Sequence, residues 1–447
     1  MSLRRLSNSV VMFATLACTG LRAQDIAGQW QGTLKTPGPE LRMVLQIAKD
    51  GAGWKADLYS IDQTTDPLPA TSISLNAGTL KFSVDRVRAG YEGKLSADSN
   101  AIAGTFTQGV SLPGALPQGG PLPLEFKRAT PETAWVIDPG KHSIQFITVD
   151  KDAGNDVKLE VLDWGGSGAP MVFLTGLGNN AHVFDKFAPK FADRYHVYGI
   201  TRRGFGRSSV PAGGYGADRL GDDVLAVIDA LKLSQPVLVG HSIGGEELSS
   251  IGSRHPEKVA ALVYLDAGYY YAFYDSANPN RITDVADVRQ KLEQLMMQPP
   301  ADPNTLIKQL LESDLPQLAK DLEAMRKEFA GMTAAQLAAQ SAGSPMPAVS
   351  RAIILGGQKY NKIPVPILAI YAVPHDVGPL GGSDPAARAA AEARDEAFVG
   401  PFATAFEKGV PTAHVVRIPH ANHYVFNSNE ADVIREMNTF LGTLKRD

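Results

Sequence analysis

The chain has 447 residues, 44% of them hydrophobic and 20% charged, with 43 basic against 47 acidic side chains. That length exceeds one small core, so at least two domains are expected. The near balance of charge, with no long run of lysine or arginine, leaves no electrostatic footprint for nucleic acid.

The amino end reads as an address. Arg4 and Arg5 precede the apolar run 10–17, which is too short for a membrane anchor, and Leu21-Arg22-Ala23 ends in a small residue. Basic, apolar, small is the order of a secretory signal. Residues 1–23 are expected to be removed after Ala23, leaving a mature protein in the periplasm or outside the cell. The single cysteine, Cys18, lies in this segment, so no disulfide or cysteine metal site is expected in the mature chain. No later stretch is long and apolar enough to span a membrane.

Residues 24–128 have a period of two. Leu41, Met43, Leu45 and Ile47 alternate with Arg42, Val44, Gln46 and Ala48, and Leu80, Phe82 and Val84 with Lys81, Ser83 and Asp85. Turn signals separate these runs, among them Asn76-Ala77-Gly78. The pattern predicts a small all-β sandwich or barrel. It carries no histidine and no catalytic constellation, so its expected role is structural, or a protein or ligand contact.

An unpatterned linker occupies 129–143. From 144 to 268 apolar strands alternate with helices, which predicts a doubly wound, mostly parallel sheet. Its expected elements include a strand at 171–174, a helix at 184–191, a strand at 196–200 and a helix at 219–231. Between 269 and 363 the alternation gives way to helices at 285–297, 305–311, 315–329 and 334–339. The sheet resumes over 364–447, with strands at 367–371 and 413–418 and a closing helix. The helical stretch is thus inserted at the ligand-binding edge of the sheet and reads as a cap.

The chemistry centres on Gly240-His241-Ser242-Ile243-Gly244-Gly245, between the strand 235–239 and a helix. Strand, G-x-S-x-G, helix is the context of a nucleophile elbow, in which a sharp turn exposes the serine hydroxyl. A serine needs a base, and the base an orienting carboxylate. His423 lies in the loop after the last strand and is the expected base, with His420 its competitor in the same loop. Asp376, beyond the strand 367–371, is the expected acid; Asp266, at the end of the strand 260–265, is the alternative. The N–H groups of Ile243 and Leu177 are the expected oxyanion donors. His241 is expected to pack or to hydrogen-bond behind the site. Glu246 and Glu247 read as first-turn helix carboxylates facing the macrodipole.

From about Phe146 onward the chain resembles the α/β-hydrolase superfamily, in its branch of serine esterases with a helical cap. The matching pieces are Leu174-Thr175-Gly176-Leu177-Gly178, Arg202 to Ser208, Gly240 to Gly245, Val373-Pro374-His375-Asp376 and Asn422-His423. One departure is Thr175, where a histidine is usual before the oxyanion glycine. The resemblance implies Ser242 as nucleophile, Asp376 as acid and His423 as base. The expected activity is cleavage of a carboxylic ester through an acyl-enzyme, on a small apolar or aromatic substrate facing Tyr269, Tyr270, Tyr271 and Phe273. No cofactor or metal is expected. A proline-releasing aminopeptidase is the alternative, with Glu312, Asp314, Asp321 and Glu323 as candidate amine-binding carboxylates. A binding protein on a silent hydrolase fold is the reading from another class.

Overall fold

The computed structural model describes residues 25–444 except 37–39, 52, 64–66, 109–120, 138–139, 335, 338–345 and 379–383. The expected signal segment and Cys18 lie outside the described residues.

Among the described residues the first unit contains nine strands: β1 (Gly28–Leu34), β2 (Leu41–Asp50), β3 (Gly53–Ser60), β4 (Leu68–Pro69), β5 (Ser72–Asn76), β6 (Thr79–Val84), β7 (Ala89–Leu95), β8 (Ala101–Gln108) and β9 (Leu122–Arg128). They form one antiparallel sheet in the order β4-β3-β2-β1-β9-β8-β7-β6-β5. The alternation seen in the sequence points Trp30, Leu45, Phe82, Tyr91 and Phe126 into one core. Ala77 and Gly78, both with positive φ, close the β5–β6 hairpin as a tight primed turn requires. The connection between β4 and β5 bridges the two ends of the sheet. There the Ala70 N–H donates to Ala56 O of β3, and the Thr71 N–H donates to Ser83 O of β6. The unit is therefore a single sheet rolled on itself, not two sheets packed face to face.

The second unit is an eight-stranded sheet of β10 (Ser143–Asp152), β11 (Asn155–Gly165), β12 (Ala169–Leu174), β13 (Tyr195–Ile200), β14 (Val237–His241), β15 (Ala261–Leu265), β16 (Ile367–Ala372) and β17 (Ala413–Ile418). Its order is β10-β11-β13-β12-β14-β15-β16-β17. The pairs from β13 to β17 are parallel; β10 and β11 pair antiparallel to their neighbours. Its longer α-helices among the described residues are α1 (Ala217–Ala230), α2 (Gly244–Arg254), α3 (Arg281–Met297), α4 (Pro303–Gln309), α5 (Leu315–Ala330), α6 (Ala348–Ile354), α7 (Pro385–Gly409) and α8 (Glu430–Thr443).

Both faces of the sheet are covered, which is why its central strands are continuous apolar runs. One face packs on α1, α2 and α7 through Val224, Leu248, Ile251, Ala403 and Phe406. The other packs on α8 and on short turns through Phe184, Phe187, Val433 and Met437. Complete burial of a side chain such as Phe173 stabilises the fold by about 2 kcal/mol.

Two local expectations change. The helix expected at 184–191 is two 3₁₀ turns, Ala181–Phe184 and Ala188–Phe191; Pro189 supplies no N–H to continue the first. Helix α7, rich in alanine and running on through Pro401, was not expected. Helices α3, α4 and α5 lie close to their expected positions, while half of the expected helix 334–339 is outside the described residues.

Candidate active site

Strand β14 delivers the chain to Ser242, whose φ is +52°. That left-handed conformation costs a residue with a side chain on the order of 1 kcal/mol and is held only by its surroundings. The flanking glycines do not carry the strain; they permit close approach. A Cβ on Gly245 would lie 2.0 Å from Ala267 O, and one on Gly240 2.9 Å from the Gly244 carbonyl. Helix α2 therefore packs directly against the loop that follows β15.

That loop begins with Asp266, also at positive φ, +47°. Its carboxylate is completely buried. Oδ1 accepts the Ala372 N–H at 3.1 Å. Oδ2 accepts His423 Nδ1–H at 2.6 Å and His375 Nε2–H at 2.8 Å. Burial alone would push this carboxyl up; the His375 charge and the two imidazole donors outweigh it and hold the group well below the usual carboxylate range.

The structure does not bring Asp376 to His423. Asp376 is exposed, and its Oδ1 accepts from Arg388 at 3.1 Å. Its neighbour His375 turns inward instead. Two side chains that end different strands compete for one place, and the backbone turn at Asp266 aims its carboxylate there. His420 likewise stays outside, its Nδ1 3.6 Å from Glu392. His423 is fixed from below: His241 Nε2–H donates to the His423 carbonyl at 3.0 Å, and the two rings lie 4.7 Å apart. His241 immediately precedes Ser242, so His423 sits over the elbow. Burial and the nearby His423 push His241 down to about 3, keeping it neutral. This agrees with the supporting role read from the sequence.

Leu177 and Ile243 share a small apolar cluster with Tyr215, Leu220, Phe205 and Tyr271. The loop carrying Leu177 is anchored by Arg202. Arg202 donates to Thr175 O at 2.7 Å and to both Glu247 oxygens, at 2.6 and 2.8 Å. Glu247 is thus a buried ion-pair partner and not a surface carboxylate offsetting the macrodipole. Glu246 is also buried, and its Oε1 has no hydrogen-bond partner among the described residues. Burial, with the Glu247 charge beside it, pushes the Glu246 carboxyl well above its ordinary range and disfavours its charged form.

The aromatic run after Asp266 divides. Tyr269 is buried and Tyr271 half-buried, the first close to Asp266 and the second close to Ser242. Tyr270 and Phe273 line a cleft with Tyr274 and Phe402. In the inserted helical stretch, Asp314 is buried and paired with Lys291 at 2.7 Å, while Glu323 pairs with Arg326 at the surface. Asp314 therefore offers no free charge for an amine.

Among the described residues two groups bring possible metal-ligating atoms within 4.8 Å of one another: Asp266, His375 and His423, and His142, His182 and Asp185. In both, imidazoles at hydrogen-bond distance from a shared carboxylate account for the spacing.

Residues 169–328 match a family model described as the alpha/beta hydrolase fold. The strand order, the elbow on β14 and this match agree. The chain carries the α/β-hydrolase fold. Its relatives within that fold include a 2-(acetamidomethylene)succinate hydrolase from Mesorhizobium japonicum, 33% identical over 101 residues, 23% of this chain and 36% of that protein. A 3-oxoadipate enol-lactonase from Acinetobacter baylyi is 34% identical over 110 residues, 24% and 41% of the two chains. A non-heme chloroperoxidase from Streptomyces lividans is 38% identical over 108 residues, 24% and 39%. The chain thus spans well under half the length of these relatives. Sequence reading missed His375, Asp395 and Arg202 as parts of this site; only the motif segments around His375 and Arg202 pointed to them.

Proposed function

We propose that the protein is a serine hydrolase that cleaves carboxylic esters with Ser242, His423 and Asp266. The observation that carries this reading is the 2.6 Å hydrogen bond from His423 Nδ1 to the buried Asp266 carboxylate. It fixes the imidazole with Nδ1 protonated, which leaves Nε2 bare to take the Ser242 proton. Ser242 Oγ then attacks the ester carbonyl, and the Leu177 and Ile243 N–H groups receive the oxyanion. His423 returns the proton to the departing alcohol. Water, activated by the same nitrogen, releases the acid from the acyl-enzyme. Two of the relatives are named as a hydrolase and an enol-lactonase, which is consistent with acyl chemistry.

The aromatic cleft at Tyr270, Phe273 and Phe402, in the segment just beyond Asp266, supports an apolar or aromatic substrate group, and the same reading takes the inserted helices α3 to α5 as a cap. The same reading includes export of the mature chain to the periplasm or beyond and an interaction role for the rolled β-sheet. The β-sheet unit does reach the site's rim: Gln63 lies 3.5 Å from the Tyr424 hydroxyl, next to His423.

A fluorophosphonate probe tests the proposal. The wild type should label and Ser242→Ala should not, and an ester panel should then turn over faster than an amide panel. A folded wild-type protein that stays unlabelled would contradict it.

A further inference from the structure

His375 takes no part in the proton transfers above, yet it is built into the site more firmly than His423. Its Nε2 meets Asp266 Oδ2 at 2.8 Å, on the same oxygen that accepts from His423. Its Nδ1 meets both oxygens of Asp395 on α7, at 3.1 and 3.0 Å, and its backbone N–H donates to that carboxylate as well. A neutral imidazole has one N–H and one lone pair. Either tautomer would therefore set a lone pair against a carboxylate. Only the doubly protonated ring satisfies both neighbours.

Resting on the reading of Asp266 and His423 as catalytic partners, we infer that His375 is a positioning residue: a fixed imidazolium, clamped by Asp395, that orients the Asp266 carboxylate and opposes its pull on a proton at His423. The unit is a relay of five side chains, Ser242, His423, Asp266, His375 and Asp395. The added cation keeps Asp266 ionised in its dry site. It also spares His423 the full field of an uncompensated anion, which would favour the imidazolium that cannot act as base. The titratable groups around it are few. Asp266 and Asp395 touch it directly, and the His423 ring lies 6.0 Å away. Beyond Asp266 stand neutral His241 and the hydroxyls of Tyr269, Tyr271 and Tyr371. On the α7 side Arg388 is paired with Asp376, and Glu392 faces His420. Burial lowers the affinity of His375 for its proton, but Asp266 and Asp395 outweigh this and carry it up to about 10.

The test is a histidine titration by NMR on the full chain with 13C-labelled imidazoles, in wild type, His375→Gln and Asp395→Asn. Glutamine keeps an N–H donor near the Nε2 position but removes the charge. His375 should stay protonated past pH 8 in the wild type. In His375→Gln the His423 midpoint should rise by about one to two pH units, the scale of a unit charge removed at that separation. The acid limb of fluorophosphonate labelling should move up with it. In Asp395→Asn the midpoint of His375 itself should fall. A wild-type His375 that titrates near its ordinary value, or an unmoved His423 midpoint in folded His375→Gln, overturns the inference. If His375→Gln does not fold, the wild-type and Asp395→Asn titrations of His375 still decide. If the titrations behave as expected but the wild type does not label, it is the serine-hydrolase reading that fails.

Discussion

Asp266 Oδ2 accepts from His423 at 2.6 Å, while Asp376 lies on the surface against Arg388. The carboxylate beside the candidate base therefore comes from the end of β15, one strand nearer the elbow than β16. Helix α2 is bound to the same loop, since Gly245 touches Ala267.

That contact makes Gly245 a sensitive position. A methyl group 2.0 Å from a backbone oxygen cannot be relieved by a rotamer change. Gly245→Ala should displace the Asp266 loop or unfold the domain, costing about 3 kcal/mol or more. Urea unfolding should show a lower midpoint, and ester turnover should fall more than stability alone explains. Gly178→Ala is a useful contrast. Nothing crowds its Cβ, but its φ of +85° makes it strained by conformation only, at about 1 kcal/mol.

The neighbouring glutamates should respond in opposite ways. Glu247 is paired with buried Arg202, so Glu247→Gln removes a charge the arginine needs and should cost about 3 kcal/mol. It should also loosen the Thr175–Leu177 loop and lower kcat. Glu246 has no partner for its Oε1 among the described residues, and burial and the Glu247 charge both penalise its ionised form, so Glu246→Gln should leave the unfolding midpoint nearly unchanged or raise it. Denaturant melts of the two variants, side by side, check this.

Stability should fall with pH on the alkaline side. His375 holds its proton to about pH 10 when folded but loses it near 6.5 when unfolded. Its contribution is thus complete below about pH 6.5 and disappears as pH rises through 10, a loss on the order of a few kcal/mol. Asp266 acts in the reverse sense: its folded affinity for a proton is depressed, so its contribution holds above about pH 4 and is lost on acidification. Melting temperature measured from pH 6 to 10 should decline in the wild type and decline less in His375→Gln. Equal slopes would show that His375 is not the group responsible.

Much of this was readable from residue order. The alternation of Leu80, Phe82 and Val84 marks a strand with one buried face, and the G-x-S-x-G between β14 and α2 marks the elbow. His423 is identified by its place after the last strand. Which carboxylate meets His423 was not readable, because Asp266 and Asp376 both follow parallel strands and spacing cannot say which one turns inward. A positive φ at Asp266 and the intrusion of His375 decide that, and neither leaves a trace in composition. The burial of Glu247 was hidden for a similar reason: its partner Arg202 is 45 residues away and is brought to it only by the sheet. The closure of the β-sheet unit depends on backbone bonds at Ala70 and Thr71, to which side-chain patterning is blind.

The most direct measurement is kcat/KM for one reactive aryl ester in Asp266→Asn and Asp376→Asn, both checked for folding by their melting temperature. The account predicts that Asp266→Asn loses about 10³- to 10⁴-fold, the scale for a base held in the wrong tautomer. Asp376→Asn should stay within about twofold, as expected for an exposed carboxylate paired with Arg388. The reverse pattern, with Asp376→Asn inactive and Asp266→Asn near wild type, would contradict it.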